Sequence, residues 1–140
     1  KNNVIYPKQT STAKLMKGEI PILIDADFNG YGLKYDQFGP IEVVIPREGS
    51  LKIPYIIGLV NGSPNEANAK RLIDFLFSDK GQELFSKGYV RPMKAEALSD
   101  EIRAKFLPDS DYERVGDVDY EKMSAVQEAF SNRWLREFGS

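Results

Sequence analysis

The stretch "IGLVNGSPNEANAKRLIDFLFSDKGQELF", residues 57 to 85, decides how the rest of the chain is read. It opens apolar, breaks at Asn61-Gly62, and then changes period. Asn-Gly is a turn signal. Ser63 stands where an N-cap belongs, and Pro64 follows at the first helical position, where its missing N–H costs nothing. Glu66 falls three residues after Ser63, which predicts a capping box. Ala69, Leu72, Ile73, Leu76 and Phe77 then recur at spacings of three and four, one apolar stripe on a helix. Ser78 or Asp79 opens a second helix, "DKGQELFSK", which Gly88 closes.

Upstream, the pattern reads as strands. Tyr55 to Val60 and Ile41 to Ile45 are apolar runs of strand length. Glu19 to Phe28, "EIPILIDADF", is a third, with Ile20, Ile22, Leu23 and Ile24 nearly continuous, as in a strand covered on both faces. "NGYG", residues 29 to 32, is expected to break it, and Asp36 to Pro40 to form a loop. Before that, Ser11 or Thr12 caps a short helix through Lys17 with Gly18 as its stop. Residues 1 to 10 are polar and irregular. Downstream, Val90 and Arg91 are extended ahead of Pro92. Ser99 to Leu107 forms a helix with Leu98, Ile102 and Phe106 on one side. "PDSDYERVGDVD" is a loop. Asp119 caps a last helix whose Tyr120, Met123, Gln127, Phe130, Trp134 and Phe138 share a face, with Trp134 expected in a core. Strands interspersed among helices define an α/β class.

Composition narrows the chemistry. The chain has 140 residues, enough for a core without staples, with 41% apolar and 29% charged residues and a net charge of −2. No basic cluster stands out, so nucleic-acid binding has little support. Cysteine and histidine are both absent. That removes thiol nucleophiles, Ser-His-Asp and Cys-His mechanisms, and His- or Cys-bearing zinc sites. No cofactor and no metal site are expected. No apolar run is long enough to span a bilayer.

Four groups of residues are candidates for chemistry. Asp25 and Asp27, two apart on a strand, would share a face and could bind a cation, an amine or hydroxyl groups, or simply lie at a solvated strand end. Phe28 and Asn29 begin a loop with two glycines, suited to ligand contact or to a plain turn. In "EVVIPREGSLKIPY", residues 42 to 55, Glu48-Gly49-Ser50 lies between two apolar runs, with Tyr55 just beyond. It reads as a hairpin turn, or as a crossing between lobes with a ligand at the crossing. Asn61-Gly62-Ser63 matches a glycosylation pattern, but an N-cap at Ser63 accounts for it better.

The order of these pieces resembles the C-terminal part of extracellular solute-binding proteins of ABC importers, with a type II periplasmic-binding-protein fold. "LMKGEIPILIDADF" (15 to 28), "IEVVIPREGS" (41 to 50), the stretch from 57 to 85 and "GYVRPMKAEAL" (88 to 98) carry the resemblance. It implies two α/β lobes joined by crossing hinge strands, with a solute in the cleft between them. On that reading residues 1–45 belong to the second lobe, 46–54 to the hinge crossing, 55–90 mainly to the first lobe, and 91–140 to second-lobe helices. It also implies a non-enzymatic role, delivering a small polar solute to an ABC permease in the periplasm or outside the cell, with a membrane-anchored form as a variant. The expected ligand contacts are Asp25, Asp27, Phe28, Asn29, Glu48, Ser50 and Tyr55, which favour a polyamine or a sugar. The tandem tyrosines of the iron-binding branch are not seen. The resemblance covers the C-terminal portion of the family, so the chain is expected to be a fragment. Apolar surface left exposed would be covered by an N-terminal portion or a second chain. The alternatives are a carboxylate-based hydrolase using Asp25 and Asp27, and a protein-interaction module.

Overall fold

The computed structural model describes residues 11–139. The expectation for residues 1 to 10 lies outside that range. The described chain divides into two compact units. Unit 1 comprises the residues up to Val44 together with Ile57–Leu107; unit 2 comprises Ile45–Ile56 and the residues from Pro108 onward.

In unit 1 the helix order is α1 (Thr12–Met16), α2 (Asp27–Tyr31) running into a π-helical turn (Gly32–Asp36), α3 (Glu66–Leu76), α4 (Asp79–Lys87), a 3₁₀ turn (Ala95–Ala97) and α5 (Asp100–Arg103). α1 ends as the sequence predicts, with Gly18 at φ +72°. The core is aromatic. Tyr31 is 1% exposed, and Tyr89, Ile102 and Phe106 are buried with it. The Tyr31 ring meets Phe106 edge-on at 5.1 Å and lies 6.1 Å from Tyr89 and 6.4 Å from Tyr35. Such offset and edge-on pairs add to area burial. The Leu107 N–H donates to the Tyr31 hydroxyl at 3.1 Å, and the Tyr35 hydroxyl donates to the Lys105 carbonyl at 3.0 Å. The helix expected over Ser99 to Leu107 is shorter, since α5 ends at Arg103; Ile102 and Phe106 still enter the core together, with half-buried Leu98 packed against them.

The corner between α3 and α4 explains the serine, the glycine and the glutamine of "SDKGQ". The Ser78 hydroxyl donates to the Phe75 carbonyl at 2.6 Å and accepts from the Gly81 N–H at 3.2 Å. Gly81 has no room for a side chain, because a Cβ there would collide with the Phe75 carbonyl oxygen and the Leu76 backbone. Gln82 is buried, and its amide donates to the Leu76 carbonyl at 2.8 Å while accepting from the Met93 N–H at 2.7 Å. One side chain therefore ties the end of α3 to the segment beyond α4.

Unit 2 holds a parallel two-stranded pairing, β1 (Ser50–Lys52) with β2 (Val115–Asp117), in the register Ser50 to Val115, Leu51 to Gly116 and Lys52 to Asp117. It also contains α6 (Asp109–Tyr112) and α7 (Tyr120–Glu137). Arg114 stitches the unit, donating from Nη2 to the Ile45 carbonyl and to Asp111 Oδ1, each at 2.9 Å. Asp119 caps α7, accepting from the Lys122 N–H at 3.0 Å.

Several expectations are corrected. Glu19 to Phe28 is not a strand: Asp27 starts α2, and "NGYG" lies inside the helix and the π turn rather than breaking them. Gly30 is tolerated there because Val43 packs so close that a Cβ would sit 2.9 Å from its Cγ2. Ile41 to Ile45 and Tyr55 to Val60 are not strands either. Ile22, Ile24, Ile53 and Ile56 are exposed, between 76% and 94%. An apolar run predicts a wish for burial, not the partner strand that would satisfy it, and Pro21 and Pro54 each remove a ladder donor. The mixed helical and parallel-strand composition is compatible with the α/β class.

The capping box at Ser63 also fails. Its hydroxyl accepts from the Asn65 N–H at 3.3 Å, a local turn, and α3 begins only at Glu66. Gly88 follows α4, yet Tyr89 is the residue that takes the left-handed backbone, at φ +61°. Trp134 is 38% exposed on α7, with Phe130 and Phe138 beside it at ring distances of 6.0 and 4.9 Å. The apolar stripe of α7 is real but lies at the surface.

Two stability measurements check this account. Phe106→Ala should cost about 3–5 kcal/mol in denaturant unfolding, the range for deleting a buried aromatic. Gly81→Ala should cost about 1–3 kcal/mol by overpacking, against a gain of several tenths for the same change in an open helix. A neutral Gly81→Ala would refute the tight corner.

Candidate functional site

The expected ligand residues fall into two sets. Asp25, Asp27, Phe28 and Asn29 belong to unit 1; Glu48, Ser50 and Tyr55 belong to unit 2.

Asp25 and Asp27 do not share a strand face. Asp25 Oδ1 accepts from the Ala26 N–H at 2.7 Å and from the Asn29 side-chain amide at 3.0 Å. It thereby supports the entry of α2. Asp27 is the first residue of α2, and its Oδ1 accepts from the Phe28 N–H at 2.9 Å. A carboxylate at this end of a helix is stabilised by the unpaired backbone N–H groups there. Both acids thus have structural duties before any ligand arrives.

In unit 2, Pro46 to Gly49 form a tight turn in which the Gly49 N–H donates to the Pro46 carbonyl at 3.1 Å. Gly49 adopts φ +103°, and a Cβ there would stand 3.0 Å from the Arg114 carbonyl oxygen. The turn leads into β1, so it does not join the two flanking apolar runs as a hairpin. Ser50 donates its N–H to the Arg114 carbonyl at 3.2 Å. Glu48 is exposed, and Tyr55 is 75% exposed.

The unit 1 set adjoins a pocket of about 400 Å³ lined by Thr12, Phe28, Asn29, Gly32, Leu33, Asp36, Gln37, Gly88 and Tyr89. Its long wall is a single helical face. Phe28, Gly32 and Asp36 are spaced by four, and the π turn carries the face through to Gln37. Gly32 makes room: its backbone is ordinary α at φ −59°, and a Cβ there would meet nothing within 4 Å. Opposite stands Tyr89, buried, whose hydroxyl donates to Asp36 Oδ1 at 2.7 Å. Burial, and then this bond to the carboxylate, push the Tyr89 phenol up from 10.0 to about 12. The same ring lies 6.0 Å from Tyr35 in the aromatic core, so the core positions one wall of the pocket.

Phe28 and Asn29 are the two expected residues that line this pocket. Asp36, Gln37 and Tyr89 were not anticipated. The spacing 28, 32, 36 was visible, but the two glycines of "NGYG" masked it by suggesting a break. Nothing local marks Tyr89, whose place follows from its tertiary contacts. The arrangement offers a carboxylate, two amides and aromatic surface, groups that hold a small polar molecule and lack a nucleophile–base pair.

The chain belongs to the bacterial extracellular solute-binding proteins, whose family model matches residues 1–122. The family is non-enzymatic in kind, and it places the chain in the periplasm or outside the cell. Over 41 residues the chain is 46% identical to proteins of Salmonella typhimurium, Salmonella paratyphi A and Salmonella typhi that carry the provisional name 2-aminoethylphosphonate-binding periplasmic protein. That stretch is 29% of this chain and 12% of those curated relatives. Among the described residues, no helix is long and apolar enough to cross a membrane.

Two outcomes follow from the geometry. A tyrosine raised from 10.0 to about 12 stabilises the fold fully below pH 10, and that contribution is lost as pH rises through 12. Tyr89→Phe should flatten this alkaline loss in pH-dependent melting and cost about 1 kcal/mol at neutral pH through the lost hydrogen bond. Gly32→Ala should raise stability by about 0.5–1 kcal/mol, because the backbone is helical and the added methyl enters open space.

Proposed function

We propose that this protein captures a small polar solute outside the cytoplasm and presents it to an ABC permease. The observation that carries the reading is the family match across residues 1–122. The names of the curated relatives add aminophosphonates to the polyamines and sugars that the acidic residues favour. The candidate contacts are Asp25, Asp27, Phe28 and Asn29 in unit 1 and Glu48, Ser50 and Tyr55 in unit 2. Carboxylates accept hydrogen bonds from ammonium or hydroxyl groups, and aromatic rings cover the solute's apolar face. Residues 46–54, with Gly49 in the left-handed region, serve as a hinge crossing of the kind that absorbs φ/ψ change.

Thermal shift with polyamines, sugars, aminophosphonates and ferric salts tests the reading. A solute at one hundred times its Kd stabilises by about 2.7 kcal/mol, which is a plain rise in melting temperature. Glu48→Ala should reduce that rise. If no solute of any class moves the transition, the proposal fails.

A second reading rests on the apolar faces of unit 2. Met123, Phe130 and Trp134 share one face of α7 and are 38% to 61% exposed. Contiguous exposed apolar surface marks a site where another protein binds. Association seen by light scattering at micromolar concentration supports a covering chain, and a monomer at all concentrations opposes it.

A further inference from the structure

We infer that the unit 1 pocket takes the cationic amine end of its ligand, with Asp36 as the recognition group. The inference rests on the solute-binding reading and adds the chemical class of one end of the solute. Three features of the pocket carry it.

The first is charge. Among the residues that line the pocket, Asp36 is the one that bears a formal charge, and none is basic. Among the described residues, the two lysines beside the aromatic core are matched. Lys34 is paired with Glu42 at 2.6 Å. Lys105 is paired with Glu101 at 3.2 Å and lies 5.9 Å from the centre of the Tyr89 ring. One negative charge is therefore left for a ligand to meet, and an anionic group entering here would be repelled.

The second is the state of the carboxylate. Tyr89 donates to Oδ1, which fixes the plane of the group. Oδ2 has no partner among the described residues. The buried phenol stays protonated to about pH 12, so across the working range it remains a donor and does not add a second negative charge. An ammonium at Oδ2 makes a charge-assisted bond to an acceptor already held in place.

The third is the remaining lining. Asn29 and Gln37 offer amide oxygens, which accept from further ammonium protons. Phe28 and Tyr89 present aromatic surface to a cation or to its methylene groups. Gly32 leaves the space between them open. An alcohol would use the amides but gain nothing from the charge.

Calorimetric titration of the full chain with matched pairs tests this. The pairs are butane-1,4-diamine against butane-1,4-diol, and 2-aminoethylphosphonate against 2-hydroxyethylphosphonate. Asp36 is exposed, so the amine of at least one pair should bind about two- to fivefold more tightly than its alcohol, the discrimination expected of an ion pair at an exposed carboxylate. The preference should shrink as salt is raised. Asp36→Asn should erase it, and because the asparagine oxygen still accepts from Tyr89, an unchanged melting temperature verifies the fold. Gly32→Leu should block both members while keeping the helix. Equal binding of amine and alcohol, or an amine preference that survives Asp36→Asn, overturns the inference while leaving solute binding intact. Binding of glucose with no response to either amine does the same. Failure of every probe, glucose included, overturns this inference and the solute-binding reading together.

Discussion

The burial of one ring, Tyr31, organises unit 1. It stands at the junction of α2 and the π turn, touches Phe106 and Tyr89, and accepts a hydrogen bond from the Leu107 backbone. Three parts of the chain far apart in sequence meet on that side chain. The ring needs burial and the hydroxyl needs a partner, and this site meets both demands at once. Because Tyr31 fixes where Tyr89 lies, and Tyr89 holds Asp36, the aromatic core and the polar pocket form one continuous arrangement. The core and the pocket wall share the same side chains here.

That sharing limits what can change. Tyr89 sits at φ +61°, a conformation that non-glycine residues rarely adopt. Its ring contacts and its bond to Asp36 offset the strain. A glycine in its place would ease the backbone, but it would remove a wall of the core and the partner of the carboxylate. The π turn has the same character. π turns inside helices recur at functional sites, and this one carries the wall of the pocket from Phe28 through to Gln37.

Local chemistry was the part legible in the sequence. α4 with its Ser78 cap, α7 with its Asp119 cap and the stop at Gly18 follow from short-range rules, and the structure has them where those rules put them. The family was legible for a related reason: in "SDKGQ" the serine, the glycine and the glutamine each have a specific place in the corner. Pairing was not legible. Ser50–Lys52 and Val115–Asp117 looked like loops, because three-residue strands carry too little pattern to be seen and a parallel partner lies far along the chain. The apolar runs that looked like strands have the composition without the neighbour. Phe28 and Asn29, expected as ligand contacts from a glycine-rich neighbourhood, line the pocket. Asp36 and Tyr89 were not expected, since their roles come from meeting each other across 53 positions.

The exposed run from Tyr55 to Val60 bears on how the chain behaves in concentrated solution. It has six residues, no charge, no proline and four large apolar side chains besides its tyrosine and Gly58. In extended form such a segment matches the short motifs that stack between molecules into dry cross-β zippers. Charge could guard it, but the nearest basic residue upstream is Lys52 and none follows before Lys70. A short uncharged run of this kind is a hazard for cross-β stacking wherever it is left uncovered, and that is a cost attached to a segment that also helps place the chain in its family.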